Sequence, residues 1–214
     1  MTARVTAVVF DLGGVVTTSP LAAFGDYERE VGLPEGTVAR LNTTNPHDNA
    51  WARFERSELD TDGFVEVFEA EARAAGHDVD ATRVLAALHG RVRPEVVTAV
   101  RRLGDAGLPL ALLSNNAAPM DPEGEHGPLM ELFDVVVESS VEGIRKPEPA
   151  IYPLTLERLC RAVAREIDPT EVGYLDDLGP NLKPARALGW QTVKVVDPAD
   201  ALAELARLTG VDLT

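Results

Sequence analysis

A doubly wound, parallel α/β sheet with an α-helical cap inserted after its first strand is the fold this sequence of 214 residues predicts. Short, nearly continuous apolar runs recur along the chain, as expected of strands buried on both faces. Between the later runs the apolar positions fall at helical spacing, and alternating strands and helices imply a parallel sheet covered on both sides. A long stretch after the first run shows helical spacing only.

The first strand is read at residues 5–10, where Val5, Val8, Val9 and Phe10 make a β-rich apolar run. Residues 19–92 contain no good strand, and helices are expected within them at 21–31, 49–56, 61–75 and 81–88. The chain would cross into and out of this insertion at hinges placed at 17–20 and 90–94. Beyond it, a helix at 95–106 leads to a strand at 108–113, and a third strand follows at 133–138. A helix at 147–164, a strand at 172–175, a helix at 181–188 and a strand at 192–196 complete the pattern. The core is therefore assigned to residues 1–18 and 93–214, and the cap to 19–92. A chain of this length can bury one core with an inserted subdomain, not two large domains. It contains no internal repeat and no low-complexity segment.

Four segments rich in reactive groups lie at the ends of apolar runs: Asp11-Leu12-Gly13-Gly14, Ser114-Asn115-Asn116, Arg145-Lys146-Pro147 and Asp176-Asp177. In a parallel α/β sheet the carboxyl ends of the strands face one crevice, where these groups would meet. A carboxylate, a hydroxyl with an amide, an ammonium and two further carboxylates suit phosphoryl transfer assisted by a divalent metal. Asp11, directly after the first strand, is the expected anionic nucleophile, able to form an aspartyl-phosphate. Each segment has a plainer reading on its own. An Asp-x-Gly caps a turn, an Asp-Asp pair makes a solvated turn or helix cap, and Ser-Asn or Arg-Lys-Pro marks an ordinary turn. Their order along the chain gives them weight together.

That order, with Val8-Val9-Phe10-Asp11 near the start and Gly173-Tyr174-Leu175-Asp176-Asp177 near the end, resembles the haloacid dehalogenase-like (HAD) superfamily of hydrolases. Segments 146–152 and 176–186 are most similar to the N-terminal phosphatase domain of soluble epoxide hydrolase and to related sugar-phosphate phosphatases; the resemblance spans residues 5–196. It implies a Rossmann-like core whose cap closes over the site and selects the substrate. It also implies Mg²⁺ held by Asp11, the Gly13 carbonyl and Asp177, with Asp176 behind them or sharing the role; hard oxygen ligands suit that ion. Ser114, Asn115 and Lys146 would bind the phosphoryl oxygens, and Lys146 would also balance charge as the intermediate forms. One departure stands out: most phosphatases of the superfamily carry a second Asp where this chain has Gly13. That Asp is a general acid and base, help worth about 10²–10⁴ in rate. Substrates with good leaving groups are therefore expected.

The expected activity is a Mg²⁺-dependent phosphatase acting on a small phosphorylated metabolite. A 2-haloacid dehalogenase, using the same Asp without metal, is the enzymatic alternative, and Asp176-Asp177 argues against it. A degenerate member that binds a phosphorylated ligand without turnover is the non-enzymatic one. Within the cap, residues 42–51 are rich in hydrogen-bonding groups. Trp51 could stack on a substrate ring or pack in the cap core. His47 or Asp48 could supply a substitute acid, and Glu55 and Arg56 could take part in substrate selection; a polar interhelical loop is the plainer account.

Composition bounds the partners. A hydrophobic content of 45% with 26% charged residues is that of an ordinary folded domain. The net charge of −15, spread along the chain, would repel a nucleic-acid backbone. It also disfavours phosphorylated substrates at long range, so the site must reverse the sign locally. A single cysteine, Cys160, excludes an intrachain disulfide and a thiolate zinc site. His47, His77, His89 and His126 lack metal-ligand spacing. No apolar run approaches the roughly 18 residues of a spanning helix, and Asp11 with two glycines interrupts the opening run. A cytoplasmic protein with neither membrane nor nucleic-acid partner is expected.

Overall fold

The computed structural model describes residues 4–88, 90–124 and 126–213. Strand β1 (Ala7–Phe10) leads through a wide turn at Leu12–Val16 into α1 (Leu21–Val31), α2 (Thr37–Thr43), α3 (Ala50–Glu55), α4 (Thr61–Ala74) and α5 (Ala81–Ala86). The chain then alternates: α6 (Pro94–Asp105), β2 (Leu110–Ser114), α7 (Gly127–Met130), β3 (Val135–Glu138), α8 (Ser139–Glu142) and α9 (Ile151–Ala162). It ends with β4 (Val172–Asp176), α10 (Gly179–Ala187), β5 (Gln191–Lys194) and α11 (Pro198–Thr209).

The five strands form one parallel sheet in the order β3-β2-β1-β4-β5. Strand alternation divides the side chains of β1 between two cores. Val8 and Phe10 pack with Leu110, Leu112 and Leu175 beneath α6 and α11, which contribute Val96, Val100, Leu103, Leu202 and Leu205. Ala7 and Val9 pack with Leu113 and Tyr174 beneath α9 and α10, which contribute Ile151, Tyr152, Leu159 and Leu182. Burial of each large side chain contributes about 1.5–3 kcal/mol. With both faces covered, the strands read as continuous apolar runs, and the doubly wound sheet expected from them is the one observed.

Helices α1 to α5 share a core of their own, built on Phe24, Trp51, Phe54, Phe64 and Phe68. The segments entering and leaving this insertion run side by side. Thr18 N–H donates to Arg91 O and Arg93 N–H to Val16 O, each at 2.9 Å, around an antiparallel Thr17–Val92 bridge. A Cβ on Gly90 would lie 2.5 Å from the Thr18 carbonyl, so only glycine allows this approach.

Four helices lie outside those read from the sequence. In α11, Asp197 accepts from Ala199 N–H and Asp200 N–H, Pro198 opens the helix, and Gly210 closes it at φ 69°. Helices α2, α7 and α8 have seven residues or fewer, too short for a period to show. Among the described residues no helix is long and apolar enough to cross a membrane.

Candidate active site

Strands β1 and β4 are neighbours whose register pairs Phe10 with Leu175, so Asp11 and Asp176 leave the sheet side by side. This edge is a topological switch point: the chain builds β2 and β3 on one side of β1 before crossing to β4 on the other. Asp11 is fixed by its backbone, whose N–H donates to Leu175 O at 2.9 Å. Its Oδ1 accepts from Leu12 N–H and from Lys146 Nζ, both at 2.7 Å, which leaves Oδ2 for another partner.

Lys146 is fully buried between two carboxylates, with Nζ also 2.9 Å from Asp176 Oδ2. Burial opposes its charge, but Asp11 and Asp176 outweigh that and hold its pKa above the usual lysine range. Asp176 is saturated with donors. Leu178 N–H reaches Oδ1 at 2.8 Å, Tyr174 Oη reaches Oδ2 at 2.5 Å, and Asn181 Nδ2 lies 3.1 Å from both oxygens. Burial works against its charge as well, yet Lys146, Tyr174 and the Leu178 amide keep its pKa below the usual carboxylate value. Asp11 goes the other way: burial, with Asp176 and Asp177 nearby, pushes its carboxyl well above the ordinary range despite Lys146. Burial and Asp176 raise Asp177 too.

Oxygens of Asp11, Asp176 and Asp177 all lie within 4.8 Å of one another. The turn after β1 makes room for this: Gly14 sits at φ 78°, and a Cβ there would come within 2.1 Å of Asp177 Oδ2. Gly13 differs, with an ordinary extended backbone (φ −70°, ψ 128°) and nothing within 4 Å of its Cβ position.

A cavity of about 180 Å³ opens over these groups. Asp11, Gly13, Asn115, Lys146 and Asp177 line it, as do Arg145 and Asn181. The helical insertion closes the opposite wall with Phe24, Asn42, Trp51 and Glu55. Asn115 clamps the neighbouring loop: its Oδ1 accepts from Lys146 N–H at 2.8 Å and its Nδ2 donates to Lys146 O at 2.9 Å. Ser114 stands apart from the other expected residues. It is 3% exposed, does not line the cavity, and its hydroxyl has the Asn115 carbonyl at 3.5 Å as its contact.

Trp51 packs within the insertion against Phe64 and Phe68, with centroids 4.9 and 5.9 Å away, and also lines the cavity. His47 and Asp48 are exposed and do not line it. His89 lies outside the described residues, and no other histidine joins the acidic cluster. Phe24 in the cavity wall was not anticipated, nor were the two polar partners of Asp176. Asn181 and Tyr174 surround Asp176, and the signal for them was their closeness in sequence to the Asp pair.

A family model described as haloacid dehalogenase-like hydrolase matches residues 5–189. The chain is 35% identical over 215 residues to Acyl-CoA dehydrogenase family member 10 of Mus musculus, covering 97% of this chain and 19% of that protein. It is 30% identical over 225 residues to Bifunctional epoxide hydrolase 2 of Sus scrofa, covering 97% of this chain and 39% of that one. The chain thus spans well under half the length of these two relatives. Over 209 residues it is 26% identical to Sesquiterpene phosphatase astK of Aspergillus oryzae, covering 95% of this chain and 96% of the relative.

Proposed function

Because the chain belongs to the haloacid dehalogenase-like hydrolases, we propose that it is a Mg²⁺-dependent phosphatase of a small phosphorylated substrate, working through an aspartyl-phosphate on Asp11. In this reading residues 19–92 are the cap, and residues 1–18 and 93–214 the core. The observation that carries it is the arrangement at the β1–β4 edge: a carboxylate with one oxygen uncommitted, a buried lysine and two further carboxylates, under one cavity. The full-length similarity to a named phosphatase agrees with it.

The donor set fits magnesium. Three carboxylates, Asp11, Asp176 and Asp177, bring oxygens within 4.8 Å of one another around a single lysine, and burial with the two neighbouring carboxylates raises the Asp11 carboxyl despite Lys146. Asp11, Asp177 and the Gly13 carbonyl would hold the ion, with Asp176 behind them because its oxygens already accept five contacts. Bound there, it would neutralise the phosphoryl oxygens as negative charge gathers on them.

The protein's own groups carry the steps. Lys146 and the Leu12 amide orient Asp11 so that Oδ2 forms the bond to phosphorus as the ester P–O bond breaks. The Asn115 amide and Lys146 face the phosphoryl oxygens from the cavity wall. Water then attacks phosphorus, releasing phosphate and restoring the Asp11 carboxylate. With no carboxylate at Gly13, the departing oxygen takes its proton from solvent, which favours leaving groups that are stable as anions.

The test is phosphate release from sugar, acyl, aryl and alkyl phosphates, with and without Mg²⁺, by the unaltered protein and by Asp11→Asn. Release that needs Mg²⁺, favours aryl and acyl esters and vanishes in the variant is expected. Chelator-insensitive halide release from 2-haloacids, with no phosphate release, would replace this reading by a dehalogenase.

A further inference from the structure

Glu55 is the last residue of α3, and its carboxylate is poorly placed for stability. It lies at the end of the helix where the backbone dipole disfavours negative charge, and burial raises its pKa, a rise that Arg145 only partly offsets. A carboxylate buried there must be held by partners. Its contacts supply them. Glu55 Oε2 is 2.5 Å from Arg145 Nε and accepts from Asn115 Nδ2 at 3.1 Å, with the Glu55 and Arg145 side chains 13% and 10% exposed. Arg145 also donates from Nη1 to Pro46 O at 2.9 Å, so one guanidinium holds two parts of the helical insertion.

These contacts continue to the nucleophile. Asn115 exchanges two hydrogen bonds with the Lys146 backbone, and Lys146 Nζ holds Asp11. We propose that Glu55 is a positioning residue: through Asn115 and Arg145 it fixes the loops that present Asn115 and Lys146 to the phosphoryl group. This rests on the phosphatase reading above. A second docking contact supplies the comparison. Ser57 donates from its hydroxyl to Ser140 O at 2.8 Å, joining the same turn to the core through a residue that does not line the cavity.

The experiment measures Mg²⁺-dependent hydrolysis of an aryl phosphate and inhibition by inorganic phosphate, using the full chain and its Glu55→Gln, Glu55→Ala and Ser57→Ala variants. Loss of the charged acceptor in Glu55→Gln, and of the hydrogen bond itself in Glu55→Ala, predicts a fall in kcat/KM of about tenfold for the first and up to about a hundredfold for the second. The inhibition constant for phosphate should rise with it, because a misaligned Asn115 binds product as badly as substrate. Ser57→Ala should keep both constants within about twofold. Glu55→Gln, nearly the same shape as glutamate, keeps the test open if the alanine variant does not fold. Glu55 variants with unchanged constants, or a Ser57→Ala loss equal to theirs, would overturn the proposal. If the unaltered protein neither releases nor binds phosphate, the phosphatase reading itself falls and takes this role with it.

Discussion

In the proposed phosphatase reaction, position 13 decides how the leaving group gains its proton. The backbone there is one any amino acid adopts, and the Cβ direction is open. Glycine is therefore not required by the fold at this position, in contrast to Gly14, whose positive φ and contact with Asp177 leave no alternative. Gly13→Asp should consequently fold normally and supply a proton-transfer group. Its expected effect is selective: hydrolysis of alkyl phosphates rises by about 10²–10⁴, the usual gain from general acid and base help, while aryl phosphates change little. Equal effects on both classes would show that leaving-group protonation does not limit the reaction. At this scale the sequence was most informative about Asp11, Asp176 and Asp177, because each follows a buried strand closely, and about Lys146 through its place in the order of the four segments. It was least informative about the Glu55–Arg145 pair, whose partners are 90 positions apart with nothing local to join them. Ser114 shows the converse: a position at a strand end does not decide whether a side chain reaches the cavity.

Among the elements, the strands and long helices were legible because burial on two faces or along one stripe writes a period into the sequence. Their bounds match or moved by up to four residues; the helix expected at 147–164, for example, is Ile151–Ala162, since Pro147 to Ala150 form the turn that presents Lys146. Helix α11 was missed although Asp197, Pro198 and Gly210 mark its ends, a case where capping chemistry was the better signal. The helical insertion depends on an aromatic cluster that no period reveals. Phe64, fully buried in α4, stacks on Phe54 and Phe68 at 4.5 and 5.2 Å and meets the edge of Trp51. Phe64→Ala should therefore cost about 3–5 kcal/mol, read as a lower urea midpoint. It should also impair hydrolysis, because Phe54 and Trp51 belong to α3, which ends in Glu55. A loss under about 1 kcal/mol would mean that the cluster repacks and that α3 is held chiefly by its contacts to the core.

On the scale of the whole molecule, a net charge of −15 sets the terms on which any anion enters. The field repels a phosphorylated substrate and attracts a divalent cation, so metal binding should come first and create the local positive potential the substrate needs. The acidic cluster concentrates this effect at one point, since Asp11, Asp176 and Asp177 bring three carboxylates together with one lysine. Mg²⁺ should thus stabilise the folded protein measurably without substrate. At a concentration about a hundred times its dissociation constant the gain is about 2.7 kcal/mol. At roughly 2–4 °C per kcal/mol for a chain of this size, that is a rise in Tm of roughly 5–10 °C. Raising the ionic strength from about 0.01 to 0.15 M shortens the screening length from roughly 30 to 8 Å, so the concentration needed for half the shift should increase. Asp177→Asn, which removes a carboxylate with no competing lysine contact, should abolish most of the rise. A Tm indifferent to Mg²⁺ in the unaltered protein would break the link between the acidic cluster and the metal. The chain would then need another source of positive charge before it could bind phosphate at all.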